Sequence, residues 1–450
     1  MKKWKFQKQL AWFMSILLIF SLVQPLQSAS AEEDITIYAD AAVLVDAGTG
    51  QVLYAKNADK VLGIASMTKM MTEYLLLEAI KEKKLSLDTE YEVSEYVYKI
   101  SQNRSLSNVP LRLGEKYTIG ELYEAMTIYS ANAATIAIAE TIAGSETKFV
   151  ELMNEKAKEL GLKDFKFVNS SGLNNRDLMG MHPKGSGPED ENVMSARATA
   201  KLAYELLNTF PEVLETSSIP KKTFREGTDD KINMENWNWM LPSLVFGYEG
   251  MDGLKTGTTD FAGYCFTGTA ERDGRRLISV VMNAKDENGK GSYNSRFVET
   301  KKMLDYGFER FEYQEVFPAA YQPKGNETIE IVKGKEKEVK VQSKEPLKLA
   351  VKKAEKINYS PVFTAKKSAL DENGNLLAPI QKGQTVGYLS VTAPKGQIEY
   401  LTNEEVQRIP VVAAESVEKA NWFTLSLRAI GGFFVDIWGS IASTVSGWFS

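Results

Sequence analysis

The sequence predicts an α+β fold: an antiparallel sheet with a cluster of helices, then a small all-β sandwich domain and a C-terminal amphipathic helix. Helical periodicity dominates between a hairpin pattern at 41–56 and strand patterns that begin at residue 255, which favours helices grouped beside an antiparallel sheet. From about residue 313, short strand patterns alternate with Lys/Glu/Gly turns, as is typical of a sandwich. A length of 450 residues also suits two domains.

Residues 1–31 have the three parts of a signal peptide. Lysines at positions 2, 3, 5 and 8 are followed by an apolar run from Leu10 to Val23, and Ala29-Ser30-Ala31 supplies the small residues of a cleavage site. The apolar run is shorter than the roughly 20 residues that a bilayer span needs. We therefore expect export and a mature chain that begins at Glu32; the alternative is an uncleaved anchor.

The charge balance argues against nucleic acid as a partner. The chain has 54 Lys and Arg against 59 Asp and Glu, and loss of residues 1–31 removes four lysines and no acid. The mature chain then carries 50 basic and 59 acidic residues, a net charge of −9. Such a surface repels a phosphate backbone.

A single cysteine and a single histidine restrict the possible chemistry. Cys265 alone cannot form a disulfide within the chain, and Cys265 with His182 cannot build a structural zinc site. Any Ser-His-Asp triad would have to use His182, which lies in a loop pattern without a nucleophile elbow. The apolar strand pattern around Cys265 favours a buried thiol over a reactive one. We expect no metal and no cofactor.

The first part of the chain alternates strand and helix patterns. Residues 41–56 predict a hairpin, and the helical pattern from Ile64 to Lys84 is apolar almost all round, which predicts a central buried helix. Thr118 with Glu121 is a capping-box signature at the start of another helix. A further helix is predicted from Ala133 to Ala143.

The next part returns to strands after a long loop. Its predicted elements complete a domain from 32 to 312. They are a breaker-rich loop at 169–193, a helix from Ser195 to Leu207, strands at Lys255–Ala270 and Leu277–Asn283 joined by Asp273-Gly274, and a helix from Ser295 to Tyr306.

Residues 313–415 predict the all-β domain. No long helical pattern occurs before residue 415, and Lys/Glu/Gly turns separate the strand patterns. The predicted strands include Thr328–Val332, Val339–Gln342, Val386–Val391 and Ile398–Leu401.

Residues 416–450 predict an amphipathic helix that anchors the protein at a membrane surface. Apolar residues recur at steps of three and four from Phe423 to Trp448, while Arg428 and Asp436 belong to the polar side. Three of the seven tryptophans lie in this segment, which favours a helix in the membrane interface. The alternative is a helix packed on its own domain or on a partner.

Three short motifs together indicate a serine nucleophile activated by lysine. The pattern S-x-x-K occurs at four serines and S-x-N at three, so neither is specific alone, whereas K-T-G occurs once. The combination Ser66-Met67-Thr68-Lys69, Ser130-Ala131-Asn132 and Lys255-Thr256-Gly257 has a consistent order and context: a helix start, a junction between helices and a strand. The set is far more specific than any member.

The spacing of the first motif suits nucleophilic catalysis. Ser66 and Lys69 are three residues apart and lie on the same face of a helix. A lysine amine in a dry site near other cations has a lowered pKa and can take the hydroxyl proton. Ser66 at a helix N-terminus also lies where free N–H groups favour developing negative charge.

With these motifs the sequence resembles the penicillin-binding and serine β-lactamase superfamily, and more narrowly the low-molecular-mass D-alanyl-D-alanine carboxypeptidases of the penicillin-binding protein 5 type. The resemblance covers nearly the whole mature chain, including the loop Asn169-Ser170-Ser171-Gly172-Leu173, the β-rich second domain and the amphipathic C-terminus. It implies a β-lactamase/transpeptidase-like catalytic domain.

The resemblance also implies roles for the other motif residues. Ser130 relays a proton to the departing D-alanine, Lys255 keeps the local field positive, and Asn132 orients the substrate amide; the alternative for Asn132 is a helix cap. Thr256 hydrogen-bonds the terminal carboxylate, next to Gly257 in the substrate-binding strand.

Two further positions complete the implied site. The backbone N–H groups of Ser66 and Thr258 form the oxyanion hole, and Arg296 matches the carboxylate-binding arginine, a cation that a carboxylate-ended substrate requires. The chain departs from its relatives twice: many have His at the position of Thr258, and many have an acid at the position of Ala198.

The implied function is removal of the terminal D-alanine from peptidoglycan stem peptides, with β-lactams acylating the same serine, at the outer face of the cytoplasmic membrane. One alternative is a class A-like β-lactamase, which Ser130-Ala131-Asn132 in place of S-D-N and the lack of a convincing E-x-x-L-N segment argue against. The other is a non-catalytic receptor for penicillin or stem peptides, which the intact Ser66, Lys69 and Lys255 argue against.

Overall fold

The computed structural model describes residues 35–353, 358–393, 398–401 and 408–426. The predicted signal peptide lies outside these ranges, and so does the predicted terminal helix from residue 427 onward. Residues 35–37 have no regular secondary structure, and the main folded unit begins at Tyr38. Within the described ranges, no helix is both long and apolar enough to cross a bilayer.

The elements up to residue 310 mix short and long strands with helices. The strands are β1 (Ala39–Asp46), β2 (Val52–Lys56), β3 (Val61–Gly63), β4 (Glu90–Glu92), β5 (Lys116–Thr118), β6 (Phe165–Lys166), β7 (Val193–Ser195), β8 (Lys221–Phe224), β9 (Ile232–Glu235), β10 (Met251–Thr259), β11 (Gly263–Arg272) and β12 (Arg275–Ala284). The α-helices are α1 (Lys69–Lys81), α2 (Glu95–Ser101), α3 (Ile119–Ile128), α4 (Asn132–Ala143), α5 (Glu146–Glu159), α6 (Ala196–Thr209), α7 (Val213–Ser217) and α8 (Tyr293–Arg310). Short 3-10 turns lie at Ala65–Thr68 and Asn175–Leu178.

A five-stranded antiparallel sheet organises this part, in the order β10-β11-β12-β1-β2. β1 pairs with both β2 and β12, so the predicted N-terminal hairpin and the later strands meet in one sheet. Nearly every residue of β1 is buried because α6 and α8 both pack on this sheet. The predicted antiparallel sheet with a helical cluster is confirmed.

The prediction of one strand across 255–270 is wrong. The chain forms two strands there, β10 and β11, whose pairing joins Thr259 to Gly263 across a tight turn. Gly263 has φ +67°, a conformation that glycine adopts readily. Because the residues on either side of it are apolar, the sequence pattern does not show that the strand ends there. The turn at Asp273-Gly274 is as predicted, with both residues at positive φ.

The predicted helix signals are confirmed. Thr118 and Glu121 form the complete capping box of α3, and α1 is buried on almost every side. α4 ends at Gly144, which has the left-handed φ of +77° that stops a helix. Because these signals are local, they do not depend on the tertiary fold.

The C-terminal part is all-β, as predicted. A six-stranded sheet has the order β17-β19-β20-β15-β14-β18, and β13 pairs separately with β16; alternate apolar side chains of these strands form one core. The strands are β13 (Phe311–Phe317), β14 (Thr328–Val332), β15 (Glu338–Ser343), β16 (Leu347–Lys352), β17 (Ser360–Ala365), β18 (Leu376–Leu377), β19 (Thr385–Thr392) and β20 (Ile409–Ala413), with a 3-10 turn at Lys367–Ala369.

The predicted strand Ile398–Leu401 is wrong. Tyr400 lies in an isolated bridge rather than in a strand, and its bridge partner is Gln51, beside β2 of the first sheet. The backbone N–H of Leu401 donates to the carbonyl oxygen of Gly50 at 3.0 Å. This segment therefore lies against the edge of the other domain, where an alternating sequence pattern cannot show its partner.

Candidate active site

Ser66 lies in the 3-10 turn directly before α1. The turn begins with Ala65 at φ +46°, a left-handed conformation that is uncommon for alanine. A Cβ on Gly257 would lie 2.6 Å from the carbonyl oxygen of Ile64, and one on Gly172 would lie 1.9 Å from that of Ala65. β10 and the loop around Gly172 therefore pack directly against the backbone that carries Ser66, and only glycine permits that approach.

Lys69, the first residue of α1, connects three parts of the site. Its Nζ donates to Ser66 Oγ at 2.9 Å, to Asn132 Oδ1 at 2.8 Å and to the carbonyl oxygen of Ser171 at 2.7 Å. Burial lowers the pKa of Lys69 well below its usual value, and the nearby charge of Lys255 lowers it further. The hydroxyl of Ser66 therefore lies 2.9 Å from an amine that is neutral, and so able to accept a proton, in a larger fraction of molecules at neutral pH than an exposed lysine is.

Ser130 and Asn132 lie at the junction between α3 and α4. Ser130 is buried with φ +58°, so the chain bends sharply there. The backbone N–H and Nδ2 of Asn132 both donate to the carbonyl oxygen of Ser107, at 2.9 and 3.0 Å, which leaves Oδ1 for Lys69. The alternative role of Asn132 as a helix cap is wrong, since the N-cap residue of α4 is Ala131.

Lys255 and Thr256 are buried on β10. Nζ of Lys255 donates to the carbonyl oxygen of Thr256 at 3.2 Å. Burial, together with the charge of Arg296, lowers the pKa of Lys255 to about 7. At neutral pH the site therefore contains two buried lysines, each with a weakened hold on its proton.

Arg296, on α8, is tied to the end of the K-T-G strand. Its Nη1 donates to Thr258 Oγ1 at 2.9 Å and to the carbonyl oxygen of Gly257 at 3.4 Å. The side chain is buried, and its Nε has no hydrogen-bond partner among the described residues. The guanidinium thus retains donor capacity for a ligand in the neighbouring cavity.

A cavity of about 370 Å³ lies beside these residues. Seven of the nine predicted site residues line it, and the other two, Lys69 and Lys255, bond to residues that do. The structure therefore brings the whole predicted set together. The seven lining residues are Ser66, Ser130, Asn132, Thr256, Gly257, Thr258 and Arg296.

The two residues at which the chain differs from many relatives, Thr258 and Ala198, lie in different cavities. Thr258 lines the cavity and its hydroxyl accepts the hydrogen bond from Arg296. Ala198 lines a different cavity, together with Asp59 and Glu399. An acid at position 198 would therefore act outside the cavity beside Ser66.

Glu73 is buried on α1 one turn beyond Lys69 and is not among the site residues predicted from the sequence. Its Oε1 accepts a hydrogen bond of 3.1 Å from Thr127 Oγ1. Burial raises the pKa of Glu73 to about 7, an effect that the charge of Lys255 opposes. The available signal was an acid on a helix that is apolar almost all round, since a buried acid needs partners. The loop residues around Arg104 also line the cavity, but no sequence motif marks them as part of a site.

The site combines a half-buried serine that is hydrogen-bonded to a buried lysine with further buried cations beside a cavity. In this arrangement lysine rather than histidine can activate the hydroxyl. Together with a five-stranded antiparallel sheet flanked by helices, this arrangement defines a serine hydrolase of the penicillin-binding class. The model of the D-alanyl-D-alanine carboxypeptidase family, peptidase S11, matches residues 27–286, and that of the penicillin-binding protein 5 C-terminal domain matches 311–419. The chain belongs to the D-alanyl-D-alanine carboxypeptidase family.

Individual relatives agree with this assignment. D-alanyl-D-alanine carboxypeptidase DacF of Bacillus subtilis is 33% identical over 408 residues, which cover 90% of this chain and 92% of that protein. The crystal structure of a peptidoglycan synthesis regulatory factor (PBP3) from Streptococcus pneumoniae has a TM-score of 0.73 and 35% identity, covering 85% of this chain and all of that one. Penicillin-binding protein D2 from Listeria monocytogenes, in its ampicillin-bound form, has a TM-score of 0.50 and 35% identity, covering 62% of this chain and all of that one.

Proposed function

We propose that this protein is a serine carboxypeptidase that removes the terminal D-alanine from peptidoglycan pentapeptide stems through an acyl-enzyme on Ser66. The observation that carries the proposal is the 2.9 Å contact between Lys69 Nζ and Ser66 Oγ, within a chain of the D-alanyl-D-alanine carboxypeptidase family. In the proposed domain division, residues 32–312 carry this chemistry and residues 313–415 form the second domain.

Acylation begins with neutral Lys69. Its Nζ takes the proton of Ser66 Oγ while this oxygen attacks the carbonyl carbon of the penultimate D-alanine. The carbonyl oxygen becomes an oxyanion, to which the backbone N–H groups of Ser66 and Thr258 donate. The close approach of β10 to the backbone of Ser66, where a Cβ on Gly257 would lie 3.1 Å from the amide nitrogen, supports this pairing.

Collapse of the tetrahedral intermediate breaks the C–N bond and leaves an ester on Ser66. The departing amine of D-alanine takes a proton from Lys69 through Ser130, with Lys255 keeping the field positive. Water then attacks the ester, which restores the Ser66 hydroxyl and releases the shortened peptide. Asn132 orients the substrate amide, and Thr256 and Arg296 hold the terminal carboxylate.

β-Lactams acylate the same serine. Attack of Ser66 Oγ on the lactam carbonyl opens the ring, and the amine stays attached to the acyl group, so no leaving group departs. The ampicillin-bound structure of the Listeria relative supports this part of the proposal. The long-lived adduct that results inhibits the enzyme.

The proposed location is the outer face of the cytoplasmic membrane. Residues 1–31 export the chain, and residues 416–450 hold it at the membrane surface as an interfacial helix. In the described part of this segment, Trp422 and Phe423 are 78% and 58% exposed, which supports an apolar face directed away from the domain. A chain that ends at residue 415 should no longer sediment with membranes; sedimentation equal to the mature chain would contradict the anchor.

The activity is tested with the purified mature protein, a diacetyl-lysyl-D-Ala-D-Ala peptide and penicillin. Ser66→Ala should abolish D-alanine release and the penicillin adduct. The matched control is Ser218→Ala, which changes a second S-x-x-K serine at the C-terminal end of α7 and should retain both. Rapid penicillin turnover would indicate a β-lactamase instead, and binding without D-alanine release would indicate a receptor.

A further inference from the structure

The cavity beside Ser66 shares part of its wall with a second cavity of about 350 Å³. Arg104, Leu106 and Tyr129 line both, whereas Ser66 and Arg296 line only the first. The second cavity is otherwise mostly polar, with Gln102, Asn103 and Asn108 among its lining residues. The two cavities therefore adjoin each other and are together called the groove below, with Arg104 on the wall that they share.

This groove is positively charged in a chain that is acidic overall. The chain has a net charge of −5, yet no Asp or Glu lines either cavity, and Arg104 and Arg296 are the lining residues that carry charge. Among the described residues Arg104 makes no ion pair, whereas Arg112, on the same segment, is paired with Asp230. An unpaired guanidinium with five donors is suited to a carboxylate ligand.

The loop that carries Arg104 is fixed to the catalytic helix α4. The carbonyl oxygen of Ser107 accepts both the backbone and side-chain N–H groups of Asn132, and Asn108 Oδ1 accepts from the backbone N–H of Ala133 at 2.9 Å. On the other side of Arg104, the backbone N–H and the hydroxyl of Ser105 both donate to Asn103 Oδ1. The backbone at Arg104 is therefore held in register with the site, which reduces the entropy lost when a ligand binds there.

We propose that Arg104 forms a subsite for a carboxylate that the peptide carries upstream of the scissile bond. The inference rests on the proposed function, in which Arg296 takes the terminal carboxylate. A substrate that follows the groove from Arg296 past Ser66 then brings its acyl side to Arg104. The substrate class is thus a D-Ala-D-Ala peptide with a free carboxylate on the preceding residue or on the one before that.

The test compares three synthetic peptides that end in D-Ala-D-Ala. The first has a neutral diacetyl-lysyl residue before this pair; the second has a glutamyl residue there with a free side-chain carboxylate; the third has the carboxylate one residue further upstream. Each is assayed for kcat/KM with the mature protein and with Arg104→Gln. Lys99→Gln is the control, because it removes an equal charge from a nearby exposed residue that lines neither cavity.

The wild type should prefer one of the two carboxylate peptides over the neutral peptide by about 5-fold, the upper end of what an ion pair of an exposed side chain such as Arg104 contributes. Which of the two is preferred identifies the position of the carboxylate. Arg104→Gln should abolish the preference, while its kcat/KM for the neutral peptide and its rate of acylation by penicillin stay within twofold of wild type. Lys99→Gln should retain the preference.

Two results would overturn the subsite. One is a wild-type enzyme that does not distinguish the three peptides, and the other is a preference that Arg104→Gln leaves intact. In either case, D-alanine release from the neutral peptide and acylation by penicillin still report independently on the Ser66 chemistry. Loss of D-alanine release from the neutral peptide in the wild type would instead contradict the proposed function itself.

Discussion

Nζ of Lys69 donates a 2.7 Å hydrogen bond to the main-chain carbonyl oxygen of Ser171, 102 residues further along the chain. Ser171 is fully buried in a loop without regular secondary structure. Because Lys69 also bonds Ser66 and Asn132, the loop conformation helps to set the direction in which the amine points. The loop therefore contributes to the site through its backbone.

Asn169 is the residue that holds this loop. Its Oδ1 accepts from the backbone N–H groups of Ser171 and Gly172, and its Nδ2 donates to the carbonyl oxygen of Leu173 at 2.7 Å. Asn169→Ala should lower the free energy of unfolding by about 2–4 kcal/mol, since it leaves several buried groups unpaired, and should slow acylation by penicillin. Urea unfolding and the acylation rate measure the two effects.

The matched control is Asn326→Ala, which removes an exposed asparagine side chain in the C-terminal domain. It should leave both quantities unchanged. If Asn169→Ala lost stability but acylated at the wild-type rate, the loop would serve only the fold and not the orientation of Lys69.

Glu73 should make stability depend on pH. Burial raises its pKa from 4.5 to about 7, so between these values the folded chain holds a proton that the unfolded chain has lost. Stability contributed by this residue is therefore present below about pH 4.5 and falls as the pH rises to 7. The free energy of unfolding of Glu73→Gln, taken relative to that of wild type, should therefore increase by on the order of 3 kcal/mol between pH 4.5 and pH 8.

Urea unfolding of both proteins at the two pH values measures this gain. Glu155→Gln is the matched control, because Glu155 is exposed on α5. A stability difference between wild type and Glu73→Gln that is the same at both pH values would show that Glu73 does not bind a proton in this range.

Features encoded locally could be predicted from the sequence. The capping box at Thr118 and Glu121 involves residues three apart, and the turn at Asp273-Gly274 needs only its own two residues. The three motifs could be found for the same reason, since each is a short string. The prediction that they meet around one cavity rested on the resemblance, because no spacing along the chain encodes the contact between Lys69 and Asn132.

Features that depend on tertiary partners could not be predicted. The segment around Tyr400 has an alternating pattern that suits a strand, but its bridge is to Gln51 in the other domain. Arg104 lies in a polar loop whose composition is that of any surface turn, and only the fold places it against the cavity. Both positions are decided by packing between segments distant in sequence.

Gln51 should couple the two domains. It is buried, its Oε1 accepts from the backbone N–H of Ala350 at 2.8 Å, and its Nε2 donates to the carbonyl oxygen of the same residue at 3.2 Å. Gln51→Ala leaves both groups of Ala350 unpaired and should lower the stability of the C-terminal domain by about 2–3 kcal/mol. Calorimetry should then show an earlier or separate transition; the exposed Gln381→Ala is the control and should not.

Cys265 should be inert in the folded protein. Its thiol is fully buried, it donates to the carbonyl oxygen of Ala262 at 3.4 Å, and burial raises its pKa to about 11. Because the thiolate is the reactive form and iodoacetamide must reach it, alkylation at pH 8 should be at least about 100-fold slower in the folded chain than in urea, as followed by mass spectrometry. Cys265→Ser combined with Val245→Cys, which places a thiol where the native side chain is 78% exposed, should react at nearly the unfolded rate. Rapid alkylation of Cys265 in the folded wild type would contradict its burial and favour a reactive thiol.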